Sequence, residues 1–66
     1  MEEITYYEKV DTSVELPEDG FITAIEFPNQ SQEPYIAEYM ARTKEFMIFS
    51  AGGYKHDKIK YWYKPI

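Results

Sequence analysis

The chain of 66 residues contains no cysteine and a single histidine, His56. Without cysteine it has no disulfide partner and no thiolate metal site, and one imidazole is too few for the usual zinc site. No apolar run approaches the ~20 residues that a membrane-spanning helix needs. These absences predict one soluble domain, residues 1–66, with no metal, no cofactor and no membrane contact.

The start of the chain lacks the basic and then apolar pattern of a secretory signal, since Met1-Glu2-Glu3 is acidic. Together with the missing cysteine, this predicts a cytoplasmic protein. A domain of this size buries only roughly 60% of the surface that its unfolded chain exposes, so its core is marginal. Because disulfides and metals are excluded as supports, we expect a homo-oligomer.

Charge is distributed unevenly along the chain. Residues 1–33 hold nine acids and one base, whereas residues 34–66 hold three acids and six bases, for a net charge of −5. Three arrangements fit this asymmetry: the two halves neutralise each other within one molecule, they meet across a subunit contact, or the basic half faces an anionic ligand. The overall acidity argues against general nucleic-acid binding, which is typical of basic domains.

Turn residues and alternation predict the first strands. A strand is expected around Ile4 to Tyr7. Leu16-Pro17-Glu18-Asp19-Gly20 has the composition of a turn, because proline fixes φ and glycine tolerates positive φ. Phe21 to Phe27 then alternates as a strand does, with Phe21, Thr23, Ile25 and Phe27 on one face and Ile22, Ala24 and Glu26 on the other.

Alternation also predicts strands in the second half of the chain. Residues 34–50 fit a helical stripe, but their alternation favours a hairpin that turns near Arg42-Thr43-Lys44. Residues 58–64 alternate strictly, with Ile59, Tyr61 and Tyr63 opposite the lysines and Trp62. The predicted fold class is mainly β, or a small α+β fold, in which a short antiparallel meander or small barrel is oligomeric.

Three segments resemble a short domain family of unknown function from phages and prophages. They are Leu16-Pro17-Glu18-Asp19-Gly20, Tyr35-Ile36-Ala37-Glu38-Tyr39 and Ile59-Lys60-Tyr61-Trp62-Tyr63-Lys64-Pro65. The family has a Leu-Pro-x-x-Gly turn and a Trp-x-x-Pro-like tail. Here Tyr7 stands where the family has a first tryptophan, and the tail departs from the family's His-Trp-Met-Pro pattern. The resemblance implies a phage setting and a small β-rich domain, and it carries no activity.

A search for catalytic sets is negative. Gly52-Gly53 lacks the residues of a phosphate-binding loop, the serines lack a nucleophile-elbow pattern, and His56-Asp57 are only sequence neighbours. The sequence therefore predicts a binding protein and not an enzyme.

The segment from Tyr54 to Lys64 interleaves cations with rings. Rings stack on nucleobases for ~1–3 kcal/mol each, and lysine or arginine meets phosphate. The alternative is that the lysines blunt an edge strand while Trp62 anchors the core. The candidate ligand-binding residues are Arg42, Tyr54, His56, Lys58, Lys60 and Trp62.

Two functions are predicted from different features. In the first, implied by the phage resemblance, the protein sequesters a small anionic nucleotide signal of host defence in pockets at subunit interfaces, within the host cytoplasm. In the second, the acidic first half docks on a basic surface of a host enzyme or nucleic-acid-binding protein and inhibits it. The acids concerned are Glu2, Glu3, Glu8, Asp11, Glu15, Glu18 and Asp19.

Overall fold

A computed structural model describes residues 6–66, and they form a mainly β domain. Six antiparallel strands build one sheet in the order β1-β6-β2-β3-β4-β5. The strands are β1 (Tyr7–Asp11), β2 (Ile22–Glu26), β3 (Tyr35–Met40), β4 (Glu45–Ile48), β5 (Gly52–Lys55) and β6 (Tyr61–Pro65). A 3-10 turn (His56–Lys58) is the one helix of the described part, which has no helix long and apolar enough to cross a membrane.

The hairpin expected in residues 34–50 is confirmed. β3 pairs with β4, with Tyr39 opposite Phe46 and Met40 opposite Glu45, and the chain turns over residues 41–44. Lys44 takes a positive φ of 56° at the end of this turn. The alternation of residues 35–48 is therefore that of two strands, and the helical stripe in the same residues is a coincidence of spacing.

The turn and strand predicted for residues 16–27 are also confirmed. Gly20 has a φ of 79°, and the Phe21 N–H donates to the Glu18 carbonyl at 3.1 Å, which closes the turn. The Asp19 carboxylate accepts the Ala41 N–H at 2.9 Å and ties this turn to the β3–β4 turn. In β2 the predicted faces hold, because Thr23 and Ile25 are buried whereas Ile22 is exposed.

The core lies on one face of the sheet, which we call the inner face. Its buried apolar side chains come from four strands and the β5–β6 connection and are Ile25, Ala37, Tyr39, Phe46, Ile48, Ile59 and Trp62. Two connections cover this face, since the described part has no long helix to do so. Residues 12–17 pass over Trp62, whose indole N–H donates to the Glu15 carbonyl at 2.9 Å.

The second covering connection joins β5 to β6 and crosses the sheet. The His56 N–H donates to the Lys44 carbonyl at 2.9 Å, and the Lys60 N–H donates to the Glu26 carbonyl at 2.8 Å. Between these two anchors, Ile59 is buried and its carbonyl accepts the Thr12 hydroxyl. The crossing closes the core and returns the chain to the middle of the sheet, where β6 pairs with both β1 and β2.

Three expectations need correction. The sheet is open, with β1 and β5 as its edges, so the meander does not close into a barrel. The last strand begins at Tyr61 and not at Lys58, because residues 56–58 form the 3-10 turn. The first strand is Tyr7–Asp11, and the part of it expected before residue 6 lies outside the described residues. Self-association stays a prediction.

Candidate docking face

The face opposite the core, the outer face, carries exposed apolar side chains from neighbouring strands. The strand register places Ala24 beside Ile36, and Glu38 between Ile22 and Met47. Ile22 and Ile36 are 56% and 52% exposed. Together with apolar residues of neighbouring strands on the same face they form a set that Glu38 interrupts, which we call the outer strip. Its members are Tyr7, Ile22, Ala24, Ile36, Met47, Phe49 and Tyr63.

A groove runs along the middle of the outer strip. Tyr7 and Tyr63 line one side, Ile22 and Ile36 line the other together with Pro34, and the small side chain of Ala24 lies between them. The groove has a volume of about 470 Å³, which is within the range of pockets that hold a drug-sized molecule or a large side chain. Because the lining is mostly apolar, the groove suits an apolar occupant.

The polar groups beside the groove are already bonded to each other. The Thr23 hydroxyl donates to the Tyr63 carbonyl, the Tyr63 hydroxyl donates to the Glu26 carboxylate at 2.8 Å, and Lys9 pairs with Glu26 at 3.0 Å. The Tyr63 hydrogen bond and then the Lys9 ammonium hold the pKa of Glu26 below its ordinary value. The same hydrogen bond, followed by burial, raises the pKa of Tyr63. These groups therefore stabilise the wall of the groove.

A second polar cluster lies at the other end of β1. Lys60 pairs with Asp11 at 2.7 Å, and the Asp11 carboxylate also accepts the N–H and the hydroxyl of Ser13. The Lys60 hydrogen bond, and then those of Ser13, hold the pKa of Asp11 well below its ordinary value. Lys9 and Lys60 both lie over the Tyr61 ring, 5.3 and 5.6 Å from its centroid. These groups bond one another, so they stabilise β1 against β6.

The elements that carry four of the six residues expected to bind a ligand lie next to one another in the fold. The bond from His56 to the Lys44 carbonyl brings the turn that carries Arg42 next to the 3-10 turn that carries His56 and Lys58. Tyr54 lies just before, in β5, 37% exposed and packed edge-on against Phe27 at 5.2 Å between centroids.

The other two expected residues serve the fold. Trp62 is 3% exposed and points to the inner face beside Ile25, so its ring has no free face for a base. Lys60 is paired with Asp11. The expectation that Lys58, Lys60 and Trp62 project together from one strand face is therefore wrong, and the alternative in which Trp62 anchors the core describes its position.

The ion pairs show how the two oppositely charged halves meet. Lys60–Asp11 and Lys64–Glu15 each join a base of residues 34–66 to an acid of residues 1–33. Both contacts arise because β6 lies beside β1 and its following connection. Of the three arrangements considered for the charge asymmetry, neutralisation within one molecule accounts for these two bases.

Sequence reasoning missed the outer strip. A signal was present, since β2, β3 and β4 carry apolar residues at both alternating sets of positions, for example Ile22 and Ala24 on the face opposite Ile25. A strand with one face in water is expected to alternate apolar with polar side chains. A second apolar set on such a strand departs from that pattern.

The described residues contain no cluster of candidate metal ligands. Within residues 6–66 no three His, Asp or Glu side chains gather as they do around a metal ion, and every buried side-chain polar atom has a hydrogen-bond partner. No family model, no curated protein and no solved structure matches the chain. The phage-family resemblance therefore stays a prediction.

Proposed function

We propose that this domain is a non-catalytic binding protein that docks another protein on the outer strip. The observation that supports this most directly is the half-exposed pair Ile22 and Ile36 at the centre of an antiparallel sheet face. Contiguous apolar patches on a soluble domain mark interaction sites far more often than isolated apolar residues do.

The free energy of burying apolar surface favours a partner that covers the outer strip. Burying apolar surface stabilises by about 25 cal/mol per Å², so a half-exposed isoleucine gains roughly 1 kcal/mol when a partner covers it. Several such side chains lie side by side on β2, β3 and β4, and the Ala24 position leaves room for a side chain of the partner. The groove can hold one anchoring side chain of the partner, and the rest of the strip provides apolar contact surface around that anchor.

The sequence suggests what kind of partner protein would bind the strip. If the chain is of phage origin, as the resemblance implies, the partner is a host protein in the host cytoplasm. Glu38 lies within the strip, and the chain as a whole is acidic, so a partner with a basic rim around an apolar patch is favoured.

Paired variants test the docking face. Ile36→Lys puts a charge in the middle of the strip, and Val14→Lys makes the same change at an exposed residue outside it. We expect Ile36→Lys to abolish capture of the partner from host lysate, and Val14→Lys to leave it unchanged, while both variants keep the wild-type unfolding temperature. Equal capture by both variants contradicts the proposal.

A second candidate function is sequestration of a small anionic nucleotide at the end that carries Arg42, Tyr54, His56 and Lys58. The specific observation is that three of the molecule's bases are neutralised by acids, whereas within residues 6–66 Arg42 and Lys58 belong to no ion pair. Tyr54 offers a partly exposed ring near this end. In an oligomer, two such ends brought together would supply cations for phosphates and rings for bases.

Calorimetry with a panel of cyclic nucleotides tests this second candidate. We expect heat from one member at micromolar protein, lost in an Arg42→Ala/Lys58→Ala variant. The matched control is Lys60→Ala, which removes a base already neutralised by Asp11. Absence of heat from the whole panel, or equal loss in the control, removes this function and leaves the docking proposal untouched.

A further inference from the structure

The ion pairs found within residues 6–66 gather around β1. Each has one partner in residues 6–15, which we call the β1 segment, and the other partner in β2, in β6 or in the connection just before β6. The pairs are Lys9–Glu26, Asp11–Lys60 and Glu15–Lys64, with N–O distances of 3.0, 2.7 and 2.9 Å. Charge therefore joins the β1 segment to the rest of the sheet, whereas β3, β4 and β5 are held to one another without an ion pair.

The β1 segment contributes little to the apolar core. None of the buried apolar side chains belongs to it, and its Val10 is only partly buried. Its buried residue is Thr12, which is polar and donates its hydroxyl to the Ile59 carbonyl. By contrast, β2, β3, β4 and β6 each contribute at least one buried apolar side chain. The β1 segment thus depends on hydrogen bonds and charge, whereas these four strands are held by the burial of apolar surface.

We infer that the β1 segment is a releasable edge, which opens from β6 while the rest of the sheet stays folded, and that its ion pairs set how often it opens. Segments with few buried apolar contacts open at a lower free energy than the core does. The lysines of the three pairs are 39–51% exposed, so their attractions are open to screening by salt. The Debye length falls from about 10 Å at 0.1 M salt to about 3 Å at 1 M. Rising salt therefore shifts the segment toward release.

Release changes two surfaces of the molecule. The Ile66 N–H loses the Tyr6 carbonyl, and the Trp62 indole N–H loses the Glu15 carbonyl, so backbone groups of β6 and one edge of the core become exposed. Tyr7 leaves the side of the groove that it forms with β6. An effect of salt on docking follows from this last change and rests on the proposed function, whereas the release itself does not.

Native-state hydrogen exchange, followed by NMR, tests the release at single hydrogens. The β1 segment is reported by the Thr12 N–H, which donates to the Lys60 carbonyl at 3.0 Å, and by the Trp62 indole N–H. The core is reported by the Tyr39 N–H, which donates to the Phe21 carbonyl at 2.9 Å. At 0.1 M NaCl we expect protection factors at least about tenfold lower for the first two than for Tyr39. Raising NaCl to 1 M should lower them about fivefold further and leave Tyr39 unchanged.

Neutral variants separate the ion pairs from other effects of salt. Asp11→Asn/Glu15→Gln removes the acids of two pairs but keeps in each side chain an oxygen that accepts hydrogen bonds. The matched control, Glu33→Gln/Glu38→Gln, makes the same change in net charge at two acids that form no ion pair within residues 6–66. At 0.1 M NaCl we expect the first variant to lower the protection of the Thr12 N–H about fivefold and the control to leave it unchanged. At 1 M NaCl the first variant and wild type should approach each other.

Three results would overturn the inference. Equal protection of the Thr12 and Tyr39 N–H groups would show that the β1 segment opens only when the whole domain unfolds. Protection of Thr12 that salt leaves unchanged, or that falls equally in the control variant, would show that the ion pairs do not hold the segment. None of these results bears on the docking proposal, which fails separately if Ile36→Lys still captures the partner.

Discussion

The two faces of the same strands set isoleucines in opposite environments. Ile25 and Ile22 lie three positions apart in β2, yet Ile25 is completely buried and Ile22 is 56% exposed. The inner face is closed by the connections over residues 12–17 and 56–60, whereas no described element covers the outer face. The apolar residues of the inner face therefore stabilise the folded chain, whereas those of the outer face are exposed and available to contact another molecule.

The largest expected effect is on stability and tests this difference between the faces. Ile25→Ala leaves a cavity in the core and is expected to lower the free energy of unfolding by about 2–5 kcal/mol. Ile22→Ala removes an exposed side chain and is expected to cost the monomer about 0.5 kcal/mol or less. Urea unfolding of dilute protein measures both. Equal losses would show that the outer face already packs against something.

Trp62 provides the next test, because it lies on the inner face and also holds a covering connection. Trp62→Phe keeps a ring in the core but removes the indole N–H that donates to the Glu15 carbonyl. We expect a loss of about 1–3 kcal/mol in unfolding free energy, from the smaller ring and the lost hydrogen bond. Tyr54→Phe, which removes only the hydroxyl of a partly exposed ring, is the control and is expected to change little. A Trp62→Phe variant as stable as wild type would mean that residues 12–17 are not held by this bond.

Local signals predicted much of the fold, and Trp62 shows where they end. The turn at Gly20, the strand β2 and the β3–β4 hairpin follow from turn residues and alternation within short segments. Alternation over residues 58–64 instead grouped Ile59 with Tyr61 and Tyr63 and placed Trp62 opposite them. In the structure Ile59 and Trp62 are both buried, because the chain between the 3-10 turn and β6 is not continuous strand. A period of two fails wherever a turn interrupts it.

The candidate site depends on strand order, which local patterns do not contain. β6 is last in the sequence but lies between β1 and β2, and only this insertion brings Tyr63 beside Ala24 and Tyr7 beside the groove. The consecutive strands β2 to β5 are neighbours, as short connections predict. The pairing of β6 is set instead by long-range packing of Trp62 and Ile59 in the core, which sequence spacing does not reveal.

Removing the Thr23 hydroxyl is expected to have a smaller effect on stability than the Trp62 substitution. Thr23 lines the groove and links β2 to β6. It is buried, and its hydroxyl donates to the Tyr63 carbonyl where the regular β2–β6 ladder has ended. Thr23→Val keeps the shape but removes the donor, so we expect a loss of about 1 kcal/mol in unfolding free energy. Amide hydrogen exchange should also speed up in β6 near Tyr63 more than in β4. Unchanged exchange in β6 would show that the ladder does not need this hydroxyl.

The smallest expected effect is the pH dependence of the groove wall. Because the Tyr63 hydroxyl and Lys9 hold the folded pKa of Glu26 below its ordinary value of 4.5, Glu26 binds a proton more readily in the unfolded chain. Its stabilisation is therefore complete well above pH 4.5 and is lost as the pH falls below that value toward the folded pKa. For a pair at the protein surface we expect at most about 1 kcal/mol. Urea unfolding of wild type and Glu26→Gln from neutral pH to pH 3 should give curves that differ at neutral pH and converge in acid.

Glu33→Gln, at an exposed acid outside this network, controls for the general effect of removing a negative charge, and its curve should stay parallel to wild type. All three proteins still contain Asp11, whose folded pKa lies below its ordinary value of 3.8. All three therefore lose the stabilisation by Asp11 as the pH falls below 3.8. If Glu26→Gln also runs parallel to wild type, the Lys9–Glu26–Tyr63 contacts do not stabilise the folded chain. In that case the strands that form the wall of the groove are held by contacts on the inner face alone, through Trp62 in β6 and Thr23 in β2.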